Sequence, residues 1–214
     1  MSTHMKEKAA SAFPSAKIIY GEIKQYSTEQ SSAPLPNKER KKFIKKVCGN
    51  ILFLSMTVNS TLLFPISAIT SHSAAPTEDT MKHTVQLLDY IATQEESVLT
   101  YNASDIKLAV HSDVSYLSEP NTRSRAGRYF FLPGDIMVPG NNGAVLDISH
   151  ITKHVMASAT ESELAALYIM ASEAVYINII LEEMGHKQPL IPLQTIGWWQ
   201  MQCILASFNQ NAPR

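Results

Sequence analysis

Between Val47 and Thr77 the chain holds no Asp, Glu, Lys or Arg, and the run ILFLSMTVNSTLLFPISAI inside it is largely apolar. Its length is close to the roughly 20 residues that cross a bilayer, and basic residues flank its N-terminal side. Asn59, a row of Ser and Thr, and Pro65 allow a second reading, two core helices broken around Val58–Thr61. Both readings require the stretch to be covered, by lipid or by protein.

Composition supports a covered core. Of 214 residues, 45% are hydrophobic and 17% charged, enough for one large domain or two small ones and unlike a disordered tail. The net charge of 18 − 19 = −1 conceals an asymmetry. Residues 1–46 carry ten Lys/Arg against four Glu, and the remainder eight against fifteen acids. A basic leader thus precedes an acidic body, which excludes a uniformly basic nucleic-acid coat but leaves room for a local contact surface. Two cysteines, Cys48 and Cys203, are too few for a disulfide framework or a cysteine zinc site. The first thirty residues lack the apolar core of a secretory signal, so a cytoplasmic or nuclear location is expected. Residues 1–36 read as a disordered basic leader whose Ser/Pro-rich part, 26–36, is linker. NKERKKFIKK at 37–46 offers Asn37 as a helix cap and six basic residues. These either make a solvated helix face or touch phosphate, as a nuclear-localisation patch would.

Further along, a helix is expected from Pro76 or Thr77 to about Ala92, with Met81, Val85, Leu88 and Ile91 on one stripe. VLTYNASDIKLAVHSDVSYL reads as two strands joined at Asn102–Asp105. In the second, Ile106, Leu108, Val110 and Ser112 face one way, and Lys107, Ala109, His111 and Asp113 the other. RYFFL (128–132) and GAVLDI (143–148) are further strands between Pro/Gly clusters. Residues 161–184 form the clearest helix. Thr160 and Glu163 fit a capping box, Gly185 a C′ position, and Leu164, Leu167, Tyr168, Ala171 and Val175 one apolar face, widened by Met170, Ala174, Ile177 and Leu181. PLIPLQT then suggests a short strand and GWWQMQCILASF a last helix. Helices first, then strands with one long helix among them, define an α/β or α+β fold around a mixed sheet.

No phosphate loop, nucleophile elbow or metalloprotease motif is present. His150 and His154 have a chelating spacing but no third ligand, and read as turn or surface histidines. Two carboxylates remain. Asp113 sits in an apolar strand, where a charge needs a partner or a metal, and Glu163 in the first turn of the long helix. Carboxylates converging from a strand and a helix can hold Mg²⁺. The plain alternatives are an edge-strand Asp113 in solvent and a Glu163 that only caps its helix.

From roughly Lys38 to Thr195 the chain resembles the C-terminal part of a copia-type LTR-retrotransposon polyprotein. KKFIKKVCGNILFLSMTV is similar to the thumb or connection of a reverse transcriptase, and AAPTEDTMKHTVQLLDYIATQEESVLTY to the helix and strand leading out of it. HSDVSYLSEPNTRSRAGRYFFL, NGAVLDISHITKHVMASATESELAALYIMASEAV and ILEEMGHKQPLIPLQT follow the ribonuclease H domain in order. The resemblance implies a helical connection-like segment at 37–97 and an RNase H-like domain at 98–214. In that domain Asp113 and Glu163 would be metal-binding, catalytic acids that cleave the RNA of an RNA–DNA hybrid through two Mg²⁺ ions. Glu161 is a neighbour, not a ligand. Arg123, Arg125 and Arg128 would contact the hybrid backbone, together with Lys41, Lys42, Lys45 and Lys46 of the basic segment. The region around 47–77 would be soluble helix, which weighs against a membrane among the expected partners.

The departures matter as much. Ile196 stands where the family's third metal-binding Asp is expected, and GWWQMQCILASFNQNAPR supplies no fourth acid. With two of four carboxylates missing, two Mg²⁺ ions are not held at catalytic spacing. The palm with its paired aspartates would lie upstream, so no polymerase activity is expected. A catalytically inactive remnant is therefore the leading expectation. An active nuclease would need a substitute acid, with Asp147 the better candidate and Glu119 the lesser. Two further readings stay open, a nucleic-acid-binding module without cleavage and a single-pass membrane protein.

Overall fold

Asn37 accepts the backbone N–H groups of Glu39 and Arg40 on its side chain and so starts α1, Lys38–Thr57. The computed structural model describes residues 11–14, 33–34, 37–94, 96–134, 142–195 and 203–204. They belong to two units, Met1–Leu99 and Thr100–Arg214, each with its own core.

In the first unit the uncharged stretch is divided among several elements. α1 ends at Thr57, Asn59 accepts from Thr61 N, and a 3-10 turn, Ser60–Leu62, leads into α2, Leu63–Ser71. Pro65 lies in the first turn of α2, where its missing N–H has no intrahelical acceptor to lose. α3, Glu78–Thr93, opens with a reciprocal box between Thr77 and Thr80. Ile44, Val47, Cys48, Ile51, Leu62, Ile66, Ile69 and Leu87 form the core. Burying each Ile or Leu contributes about 1.5–3 kcal/mol, so this cluster alone accounts for the packing of three short helices. On α3 the buried positions are Thr80, Thr84 and Leu87, with Met81, Leu88 and Ile91 at the margin, while Val85 of the expected stripe is exposed. The leader is not wholly unstructured. Pro34 bridges to Thr77, Ala33 accepts from Glu78 N, and Phe13 packs on the helices.

The second unit is a five-stranded sheet in the order β3-β2-β1-β4-β5, with one long helix. Its elements are β1 (Ala109–Glu119), β2 (Arg123–Phe131), β3 (Ala144–Ile151), α4 (Ala159–Glu183), β4 (Pro192–Thr195) and β5 (Cys203–Ile204). β1, β2 and β3 are antiparallel, β4 runs parallel to β1, and β5 is antiparallel to β4. The strand expected before Asn102 does not form. The backbone that follows it is held by side chains: Asn142 accepts from Asn102 N and donates to Asn102 O, and Gln188 accepts from Leu108 N and donates to Ile106 O. Cys203–Ile204 is strand, where the sequence suggested a last helix; the rest of that segment lies outside the described residues.

α4 covers the sheet face that carries Leu108, Val110, Phe130, Leu146 and Ile148. Its buried side is Ser162, Ala166, Met170, Ala174 and Leu181; Met170, Ala174 and Leu181 were expected only to widen the stripe, whereas Leu164 and Tyr168 of the expected face are 66% and 74% exposed. The helix is apolar nearly all round, so periodicity did not single out the packed side. Among the described residues α4 is also the one helix long and apolar enough to cross a membrane.

Candidate functional site

The carboxylate candidates are placed by the sheet register and by the start of α4. Asp113 in β1 pairs across the ladder with Gly127 of β2 and is exposed. By strand alternation it shares a face with His111 and Ser115, opposite the face that Val110 presents to α4. It therefore bears no burial cost, contrary to the expectation of a charge inside an apolar strand.

Glu163 is half-buried on α4 and takes no part in capping. The cap is Ser158, whose Oγ accepts from Glu161 N at 3.1 Å, and the Glu161 carboxylate accepts from Ala157 N at 2.6 Å. The cap is thus two residues earlier than Thr160 and Glu163 suggested, and the acid that reaches back over it is Glu161. The rotation of Glu163 about the sheet is fixed by its neighbour. Ser162 is fully buried, with Oγ 3.2 Å from Ser124 Oγ, and Ser124 exchanges further bonds with Thr152 and Leu117. Nothing in the sequence pattern marked these small polar residues, because Ser and Thr read equally well as surface.

Asp147 does not join them. It lies in β3 opposite Tyr129, which is opposite His111 of β1. Two inter-strand spacings, roughly 9–10 Å, separate it from β1. Its charge, with burial as the larger cause, instead raises the pKa of Tyr129. Glu119 is 7% exposed and ion-paired to Arg125 Nε at 2.5 Å, so its carboxylate is committed within the hairpin. Among the described residues no three His, Cys, Asp or Glu side chains come together as metal ligands. Among the described residues the donors do not make up the set that the Mg²⁺ pair implied by the resemblance would need. Ile196 lies outside the described residues.

The arginine loop is largely internal. Arg125 and Arg128 are 5% and 3% exposed, and only Arg123 of the three presents its side chain outward. Arg125 also reaches Ser149, and Arg128 Nη2 lies 2.6 Å from His150 Nδ1 under α4, with Glu173 of the helix nearby. Burial lowers the pKa of Arg128, and burial followed by the adjacent Arg128 lowers that of His150. His150 is therefore occupied by an arginine, while His154 is exposed. A string such as TRSRAGR looks like a solvated loop; in the strand, Arg125 and Arg128 fall on opposite faces of the sheet, and each is covered by its own partners, Glu119 and Ser149 for Arg125 and His150 under α4 for Arg128.

The basic residues of α1 stand where the sequence put them. Lys38, Lys42, Lys45 and Lys46 are exposed and Lys41 half-exposed, opposite the buried Ile44, Val47, Cys48 and Ile51, while Arg40 pairs with Glu78 at 2.8 Å.

No family model matches the chain, and no solved structure matches it. The chain is similar to the Transposon Ty1-JR1 Gag-Pol polyprotein of Saccharomyces cerevisiae, with 23% identity over 159 residues, 72% of this chain and 8% of that protein. This distant similarity supports an origin in a copia-type retrotransposon polyprotein, of which the chain spans a small part.

Proposed function

We propose that the chain is a remnant of the reverse transcriptase/RNase H region of such a polyprotein, with a connection-like helical unit and an RNase H-like sheet unit that no longer cleaves. The RNase H-like reading is supported by the strand order, three antiparallel strands with β4 returning parallel to β1 after the long helix. The loss of cleavage rests on one observation: Asp113, Glu163 and Asp147 do not gather into a metal-binding group. What remains is binding of nucleic acid, with the phosphate backbone as the partner, by the lysine face of α1 in the helical unit and, separately, by Arg123 in the sheet unit.

The test is cleavage of a labelled RNA–DNA hybrid with Mg²⁺ and then Mn²⁺, beside Asp113→Asn. The account expects no cleavage above that control. It also expects hybrid binding that weakens with salt. In a Lys42→Ala/Lys45→Ala/Lys46→Ala chain the log–log slope is expected to fall by about 2, because each phosphate left without its cation removes roughly 0.7–0.9. Cleavage that disappears in Asp113→Asn would overturn the reading of an inactive unit.

A further inference from the structure

A short piece of the leader is seated on the helical unit in a way that the core does not require. The buried cluster comes from α1, the 3-10 turn, α2 and α3, and Ala12 and Phe13 pack at its margin, partly exposed. Phe13 enters between two helices. Its ring meets Phe64 of α2 edge-on, centroids 5.6 Å apart at 83°, and His83 of α3 at 4.8 Å and 57°. Gln86 of α3 donates from Nε2 to the Ser11 carbonyl at 3.1 Å, and Ser11 Oγ donates to the Phe13 carbonyl at 2.9 Å. Residues 11–14 belong to no helix or strand.

From this packing we infer that Ser11–Pro14 is a detachable strap, and that the Phe64–His83–Gln86 seat is a binding site for a short bent peptide with a phenylalanine anchor followed by proline. The chemistry of the seat selects such a ligand. Two rings receive a third: Phe64 meets it edge-on, the arrangement aromatic quadrupoles favour, and His83 at a tilt. An amide reads one backbone carbonyl two residues before the anchor. The chain bends through Ser11–Phe13, and the Ser11 hydroxyl on the Phe13 carbonyl holds that bend, so the seat takes a peptide able to make the same turn. The strap competes in cis. Eighteen residues separate Pro14 from Ala33, which is held at the start of α3 by Glu78 N. Any peptide arriving in trans therefore meets an occupied seat.

The test uses the full chain with Phe13→Ala and a fluorescein-labelled peptide of residues 9–16, AASAFPSA. The variant is expected to bind this peptide at least tenfold more tightly than the wild-type chain. The gain is expected to vanish with Phe64→Ala added, or with alanine at the peptide's phenylalanine. Equal binding by wild type and variant would overturn the inference. Hydrogen exchange of the wild-type chain decides independently of how the variant folds. A detachable strap requires the Phe13 amide to exchange at least a hundredfold faster than that of Leu87, and matched protection would make residues 11–14 an integral part of the core.

Discussion

Three histidines, His83, His111 and His150, have pKa values lowered from 6.5, in each case chiefly by burial. For His83, Asp79 opposes the shift while His72 and Lys82 add to it; for His150, Arg128, Arg125 and Lys153 add to it. A histidine depressed in the folded state takes up a proton more readily when unfolded. Stability is therefore fully present above the unfolded pKa and is lost as pH falls through 6.5 toward the folded value. Urea unfolding at pH 7.5 and 5.5 is expected to give a lower midpoint at 5.5. His150→Gln is expected to flatten that difference, since it removes the imidazole that lies against Arg128. A midpoint unchanged between the two pH values would contradict the burial of these rings. His111 adds a further constraint, for its ring packs edge-on against Phe131 and its Nε2 is buried without a hydrogen-bond partner.

At the scale of elements, the start of α4 separates two glutamates that are only two residues apart. Ser158→Ala removes the acceptor for Glu161 N and is expected to cost about 1 kcal/mol, within the usual range for a missing cap. Glu161→Ala is expected to destabilise the chain in the same direction, whereas Glu163→Gln is expected to leave the thermal midpoint unchanged. A Glu163→Gln loss equal to that of Ser158→Ala would restore the cap the sequence suggested. The contrast shows what a sequence alone reveals here. Asn37 as cap of α1, the break after Thr57, Thr77 as cap of α3 and Gly185 beyond α4 (φ 94°) were all legible, because each rests on local backbone chemistry. The choice between Ser158 and Thr160 was not, since both are good caps with an acid three residues on. Nor was the burial of Arg125 and Arg128, which depends on β2 lying between β1 and β3 and on Glu119 folding back across the hairpin. The strand expected before Asn102 failed for a similar reason. The segment after it is tied down from far away in sequence, where the side chains of Asn142 and Gln188, 40 and 80 residues on, hold the backbone of Asn102 and Leu108.

For the whole molecule, two units with separate cores predict separable unfolding. Ile44→Ala empties a fully buried position in the helical core, and Phe130→Ala does the same in the sheet unit. Each is expected to cost about 2–5 kcal/mol of its own unit's stability. By calorimetry, each is expected to shift one transition and leave the other in place; a single transition moved equally by both would contradict the division. The sheet unit also carries the central claim, that a strand and helix arrangement of RNase H type persists without the acids gathered for metal. The most direct measurement is calorimetric titration of the full chain with Mn²⁺, with Asp113→Asn and Glu163→Gln as controls. The account predicts no saturable site tighter than about 1 mM, and identical traces for all three proteins, since carboxylates that do not converge behave as isolated weak ligands. Stoichiometric Mn²⁺ binding that both substitutions abolish would mean that Asp113 and Glu163 share a metal, and would contradict it.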